Sequence, residues 1–107
     1  MTTVHAEISI IPITKKYDTS MSNEVAAAYD AISKTEDIKA TLTALGTQIE
    51  SKDLASILKA IAAAHQAVKS SGAQRIISSI RIDERLDKDQ TLKDKVNSVT
   101  EKMNKSN

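Results

Sequence analysis

Apolar and polar residues alternate with period two in several stretches of this chain and recur at helical spacing in others. The cleanest alternation runs over residues 75–83. There Ile76, Ser78, Ile80 and Ile82 fall on one side, and Ile77, Ser79, Arg81 and Asp83 on the other. Such a stretch, rich in β-branched side chains, predicts a strand with one core face and one polar face. Residues 4–11 alternate likewise, Val4, Ala6, Ile8 and Ile10 against His5, Glu7, Ser9 and Ile11. Pro12, which has no N–H for a sheet ladder, ends that strand. After a polar loop over residues 14–20, Val25, Ala28, Tyr29 and Ile32 mark one stripe of a helix reaching about Thr35, with Ser20 or Ser22 as its N-cap.

A second strand follows from the alternation of Ile38, Ala40, Leu42 and Ala44 with Lys39, Thr41 and Thr43. Leu45-Gly46 is the expected tight turn, since glycine tolerates positive φ, and residues 47–50 form a short antiparallel third strand. Ser51 is the expected cap of a second helix, with Asp53 in its first turn. The stripe of that helix is Leu54, Ile57, Leu58, Ile61, Ala64 and Val68, and Gly72 stops it. Beyond the last strand, residues 84–90 form a charged connector. A third helix then starts near Asp89 and carries Leu92, Val96, Val99 and Met103 on one side.

The order β-α-β-β-α-β predicts an α+β fold, the ferredoxin-like βαββαβ sandwich, here with an additional C-terminal helix. In that topology strands one and three are central and strand four lies beside strand one. Two helices cover one sheet face. The other face collects His5, Glu7, Ser9, Ile11, Thr41, Thr43, Gln48, Glu50, Ile77, Ser79, Arg81 and Asp83. By pattern alone this face is either solvated, an interface between subunits, or a platform for a polar small molecule.

Composition narrows these choices. A chain of 107 residues is expected to form a single domain over residues 1–107 with one modest core. The absence of cysteine excludes disulfides, thiolate metal sites, iron–sulfur clusters and cysteine nucleophiles, and fits a cytoplasmic location. A net charge of +1 with interspersed signs gives no pull toward nucleic acid or membrane, and no apolar run has the length of a span or signal core. Phe and Trp are absent, and polar residues stand where RNA-recognition modules of this topology place stacking aromatics, which argues against RNA.

No nucleophile elbow, phosphate-cradling glycine loop or serine–histidine spacing is present, so no catalytic residue is assigned and an enzyme is not expected. His65 continues the stripe of the second helix, four residues after Ile61, and reads as a hydrogen-bonded packing residue. His5, near the terminus, reads as exposed, and no metal site is expected. In the 83–89 connector, alternating charges read as a self-paired, solvated loop, although Arg81, Arg85 and Lys88 could instead grip an anion.

Four pieces spread along the chain resemble the small thiamine-binding protein family of the YkoF-like, ferredoxin-fold group. They are Ile10-Ile11-Pro12 followed by Ser20-Met21-Ser22; Gly46-Thr47-Gln48-Ile49-Glu50; Ala64-His65-Gln66-Ala67-Val68; and Ile80-Arg81-Ile82-Asp83-Glu84-Arg85 with Asp94-Lys95-Val96. The resemblance implies a ferredoxin-like sandwich and homodimers or homotetramers assembled through the sheet, and the apolar stripe Leu92, Val96, Val99 and Met103 adds the C-terminal helix to that expected interface. It also implies non-catalytic binding of thiamine or its hydroxymethylpyrimidine part, with no further cofactor.

For such a ligand the implied binding residues are Ser20 and Ser22 at a helix start, Thr47 and Glu50 on the third strand, then Ser79 and Asp83 on the fourth. Glu50 would accept from the aminopyrimidine amine or balance the thiazolium charge, and Thr47 would donate and accept. Without Phe or Trp, stacking falls to Tyr17, Tyr29 or aliphatic side chains. The competing expectation is a structural or regulatory assembly module whose polar sheet face is simply a subunit interface.

Overall fold

Four strands and three helices appear in the predicted order: β1 (Val4–Ile13), α1 (Ser22–Ser33), β2 (Lys39–Thr43), β3 (Gly46–Ser51), α2 (Leu54–Ser70), β4 (Arg75–Glu84) and α3 (Leu92–Lys105). The computed structural model describes residues 3–14 and 19–105. The sheet is antiparallel with order β2-β3-β1-β4, so the two central strands are those the topology requires. Helices α1 and α2 pack side by side on one face, giving the ferredoxin-like α+β sandwich.

The core is aliphatic. Val4, Ala6 and Ile8 from β1 and Ile49 from β3 face Ala28 and Ile32 of α1 and Ile57, Ala60, Ala64 and Val68 of α2. Alanine at 60 and 64 leaves no bulk between α2 and its neighbours, so the helix lies close to them without any aromatic filling. Leu58, expected on the buried stripe, is exposed instead, and the buried positions of α2 run through Ser56 and Ala60.

Several local expectations shift by a residue or two. The β2–β3 turn is Ala44-Leu45 rather than Leu45-Gly46, because Thr43 pairs with Gly46. Gly46 is needed for closeness, not for φ: a Cβ there would stand 2.6 Å from the Ile8 carbonyl oxygen. Ser51 belongs to β3, and the cap of α2 is Asp53, whose carboxylate accepts from the Ser56 amide at 2.7 Å and is thereby held below its ordinary pKa. Gly72 does end the α2 region, with φ of 94°.

The cap of α1 is Met21, which has no capping side chain, although the Ser20 hydroxyl lies 3.4 Å from the Ser22 amide. Helix α3 begins at Leu92, behind a reciprocal cap in which the Asp94 amide donates to the Thr91 hydroxyl and the Thr91 amide to the Asp94 carboxylate, each at 3.0 Å.

His65 behaves as a packing residue. It is partly buried, and its Nε2 lies 2.9 Å from the Ser78 hydroxyl of β4, tying α2 to the edge strand. Replacing it with glutamine loses that geometry across a half-buried contact. His65→Gln is therefore expected to lower Tm by a few degrees in a thermal melt while leaving ligand affinity within about threefold.

His5 is a correction to the sequence reading. It is only 5% exposed because the first turn of α3 folds back over the open sheet face and roofs it. Beyond that turn α3 leaves the body and buries none of its residues. The radius of gyration, 15.7 Å, accordingly exceeds the roughly 13 Å of a compact chain this long. Among the described residues no helix is long and apolar enough to cross a membrane.

Candidate functional site

A cavity of about 300 Å³ opens between the N-terminal half of α1 and the β2–β3 hairpin. Its floor is the helix-covered sheet face at Ile8, Ile10 and Thr47. Val25, Ala28 and Ile32 of α1 form one wall, and Leu42 and Leu45 of the hairpin form the other, with Met21 at the mouth. The cavity exists because the hairpin projects past the helix that should cover it: Leu42 is 55% and Leu45 89% exposed. Most of the lining is aliphatic. Thr47, 6% exposed, puts a hydroxyl on the floor, and Thr43 donates to the Gly46 carbonyl at 2.8 Å on the rim. An apolar slot with few fixed polar groups suits a flat heteroaromatic ring.

Next to it, Pro12, Thr19, Ser20, Met21 and Glu24 line a second, more polar cleft, and Met21 is common to both. Ser20 lines this cleft, and the Ser22 hydroxyl lies 3.1 Å from its own at the start of α1. Glu24, one turn into the helix, is 3% exposed and brings a buried carboxylate beside that opening. Sequence reasoning missed it because a glutamate in the first turn reads as a dipole partner. The spacing of Glu24, Ala28 and Ile32, each four apart, was the available signal that it shares the buried stripe.

The other implied residues lie elsewhere. Glu50 is three positions after Thr47 on β3, so the pleat sends it to the opposite sheet face. It accepts from the Leu92 amide at 3.2 Å and so anchors the start of α3. Asp83 pairs with Lys95 of α3, and that hydrogen bond and charge hold its carboxyl below the ordinary carboxylate value. Ser79 sits opposite Ser9 on the exposed part of the same face. Ser20, Ser22 and Thr47 are thus grouped near the α1 cavity, whereas Glu50, Ser79 and Asp83 are spread over the far side of the sheet.

Tyr29 does not line the cavity; its hydroxyl points to the Ala40 carbonyl at 3.5 Å. Tyr17 lies outside the described residues. In the connector, Arg85 clasps Asp87 with two nitrogens, at 2.6 and 3.0 Å, and Gln90 at 3.3 Å. The self-paired reading of that loop therefore applies to Arg85.

The cavity can be set beside known proteins. The thiamine-binding protein family matches residues 6–100 of this chain. A UPF0045 protein of Methanothermobacter thermautotrophicus is 39% identical over 100 residues, spanning 94% of this chain and 99% of that protein. The crystal structure of a hypothetical protein from Methanocaldococcus jannaschii is similar at a TM-score of 0.82 and 40% identity, covering 94% of this chain and 99% of its own. A candidate thiamine biosynthesis/salvage protein from Thermotoga maritima shares the fold, with a TM-score of 0.72 at 18% identity over 91% of this chain and 98% of its own. This chain belongs to the thiamine-binding protein family.

Proposed function

We propose that the chain binds thiamine or a related hydroxymethylpyrimidine, without chemical conversion, in the cavity between α1 and the β2–β3 hairpin. The observation that carries this reading is the aliphatic slot with the Thr47 hydroxyl on its floor. The pyrimidine ring packs between Val25 and Leu42, and Thr47 bonds a ring nitrogen or the exocyclic amine. Ser20, Ser22 and the buried Glu24 stand by the mouth, where the hydroxymethyl group or the thiazolium cation emerges. Family membership supports the ligand class, and the lack of cysteine supports a cytoplasmic setting.

Isothermal titration with thiamine, its phosphates and hydroxymethylpyrimidine tests this reading. Saturable binding of at least one is expected, and no heat from any of them at millimolar ligand would overturn it. Glu50, Ser79 and Asp83 are outside this site. Glu50→Gln is accordingly expected to leave affinity unchanged.

The same reading includes a homo-oligomer. Ile11 and Ile77 form a cross-strand pair on the open sheet face and are 45% and 43% exposed. Val96, Val99 and Met103 of α3 are 65%, 59% and 63% exposed along one helix stripe. Apolar surface of this extent on two faces of a small chain marks contact with another protein, and a second copy offers both faces at once. These surfaces also favour the alternative reading, an assembly module without a ligand. Light scattering at micromolar protein is expected to give a dimer or tetramer, and a monomer would contradict the assembly.

A further inference from the structure

On the face of the sheet away from α1 and α2, the first turn of α3 borders another cavity, of about 230 Å³. Its polar lining includes His5, Glu7, Gln48, Arg81, Asp83 and Lys95. It shares no lining residue with the α1 cavity. One feature sets it apart from an ordinary solvated face. His5 is 5% exposed, yet its Nε2 finds no hydrogen-bond partner among the described residues. A buried imidazole nitrogen left unsatisfied is uncommon and asks for an explanation. Arg81, exposed at the cavity edge, has no ion pair or hydrogen bond among the described residues, although Glu7 stands directly across the ladder from it.

The hydrogen bonds already made bear on which ligand fits. Glu7 accepts from the Gln48 amide at 3.2 Å, and Asp83 accepts from Lys95. One oxygen of each carboxylate is thus engaged. The donor capacity left over is the whole guanidinium of Arg81, the remaining N–H groups of Lys95, and the orphan nitrogen of His5 in its Nε2–H tautomer, set against one remaining oxygen on each carboxylate. A planar fork beside an ammonium suits an oxyanion, which accepts from several donors at once.

We propose that this cavity under α3 binds a small oxyanion, a carboxylate or phosphate group, held by Arg81 and Lys95 and completed by His5. Such an anion supplies the acceptor that His5 Nε2 lacks. It also bridges β4 to α3, adding to the Asp83–Lys95 contact that seats the helix. Because the two cavities lie on opposite sheet faces, this site stands whether or not thiamine binds at the other.

The chain has two histidines, so imidazole C–H resonances report the site directly. His65→Gln leaves His5 as the sole signal and assigns it. Inorganic phosphate is titrated at constant ionic strength, with sodium acetate and sodium chloride as parallel arms. The expected result is a saturable shift of the His5 resonance at low-millimolar phosphate, and a weakening of at least tenfold in Arg81→Gln. Saturation by acetate as well as phosphate assigns the site to any oxyanion, and saturation by phosphate alone narrows it to that group. The proposal is overturned if the shift is linear and equal in chloride, or persists unchanged in Arg81→Gln. Thiamine titration of Arg81→Gln gives the parent affinity, which separates failure of this site from failure of the other.

Discussion

Val25→Phe is expected to abolish measurable thiamine or hydroxymethylpyrimidine binding, raising Kd by well over tenfold, while leaving Tm unchanged or slightly higher. Val25 lines the α1 wall of the cavity and is only partly buried, so a larger side chain there has room to turn inward. A phenyl ring occupies the slot that a pyrimidine would otherwise take. Filling apolar space gains contacts rather than straining a packed core, which is why stability does not fall. Titration calorimetry and a thermal melt on the same sample check both halves. Unchanged affinity would place the ligand elsewhere.

Gly46→Ala is expected to have the opposite profile, a large loss of stability that carries affinity down with it. The added Cβ would lie 2.6 Å from the Ile8 carbonyl oxygen and 3.3 Å from its carbonyl carbon. Both neighbours are backbone of a central strand, so relief requires β3 to move away from β1. Overpacking of this kind costs about 1–3 kcal/mol and occasionally more, a sizeable part of the roughly 5–15 kcal/mol that holds a domain. Gly46 and Ile8 also both line the cavity, so the same displacement reshapes the floor around Thr47. Gly72→Ala serves as a contrast. Its site is open but has φ of 94°, so the cost there is local backbone strain of about 1 kcal/mol, with no effect on ligand. Urea melts of the two variants should rank Gly46→Ala well below Gly72→Ala.

The strands were legible because alternation of β-branched and polar residues has one structural meaning, and β4 shows it best. The topology followed from element order. What sequence could not place was anything decided by a contact between distant segments. Gly46 reads as a turn residue, and only the approach of Ile8, thirty-eight positions away, explains it. His5 reads as an exposed terminal histidine until α3 is seen to fold back over it.

The candidate site divides for a local reason as well. Thr47 and Glu50 are near neighbours in sequence, so a family motif containing both suggests one ligand. Their odd spacing on a strand nevertheless sends them to opposite faces, and the pleat alone was enough to show it. Glu50 and Asp83 turn out to hold the start of α3, a role that depends on where the last helix lies. The α1 cavity itself left no mark in the sequence, because Leu42 and Leu45 read as ordinary hairpin residues rather than as an overhanging wall.

The most direct test is a methyl-labelled protein titrated with hydroxymethylpyrimidine and followed by two-dimensional NMR. Methyl groups of Val25, Ile32, Leu42, Leu45 and Thr47 line the cavity, while those of Ile77 and Ile82 lie away from it on β4. The predicted result is saturable shifts confined to the first set, reproduced by thiamine and absent in Val25→Phe. Shifts centred on Ile77, or no saturable shift at all, would contradict the assignment of the cavity as the thiamine site.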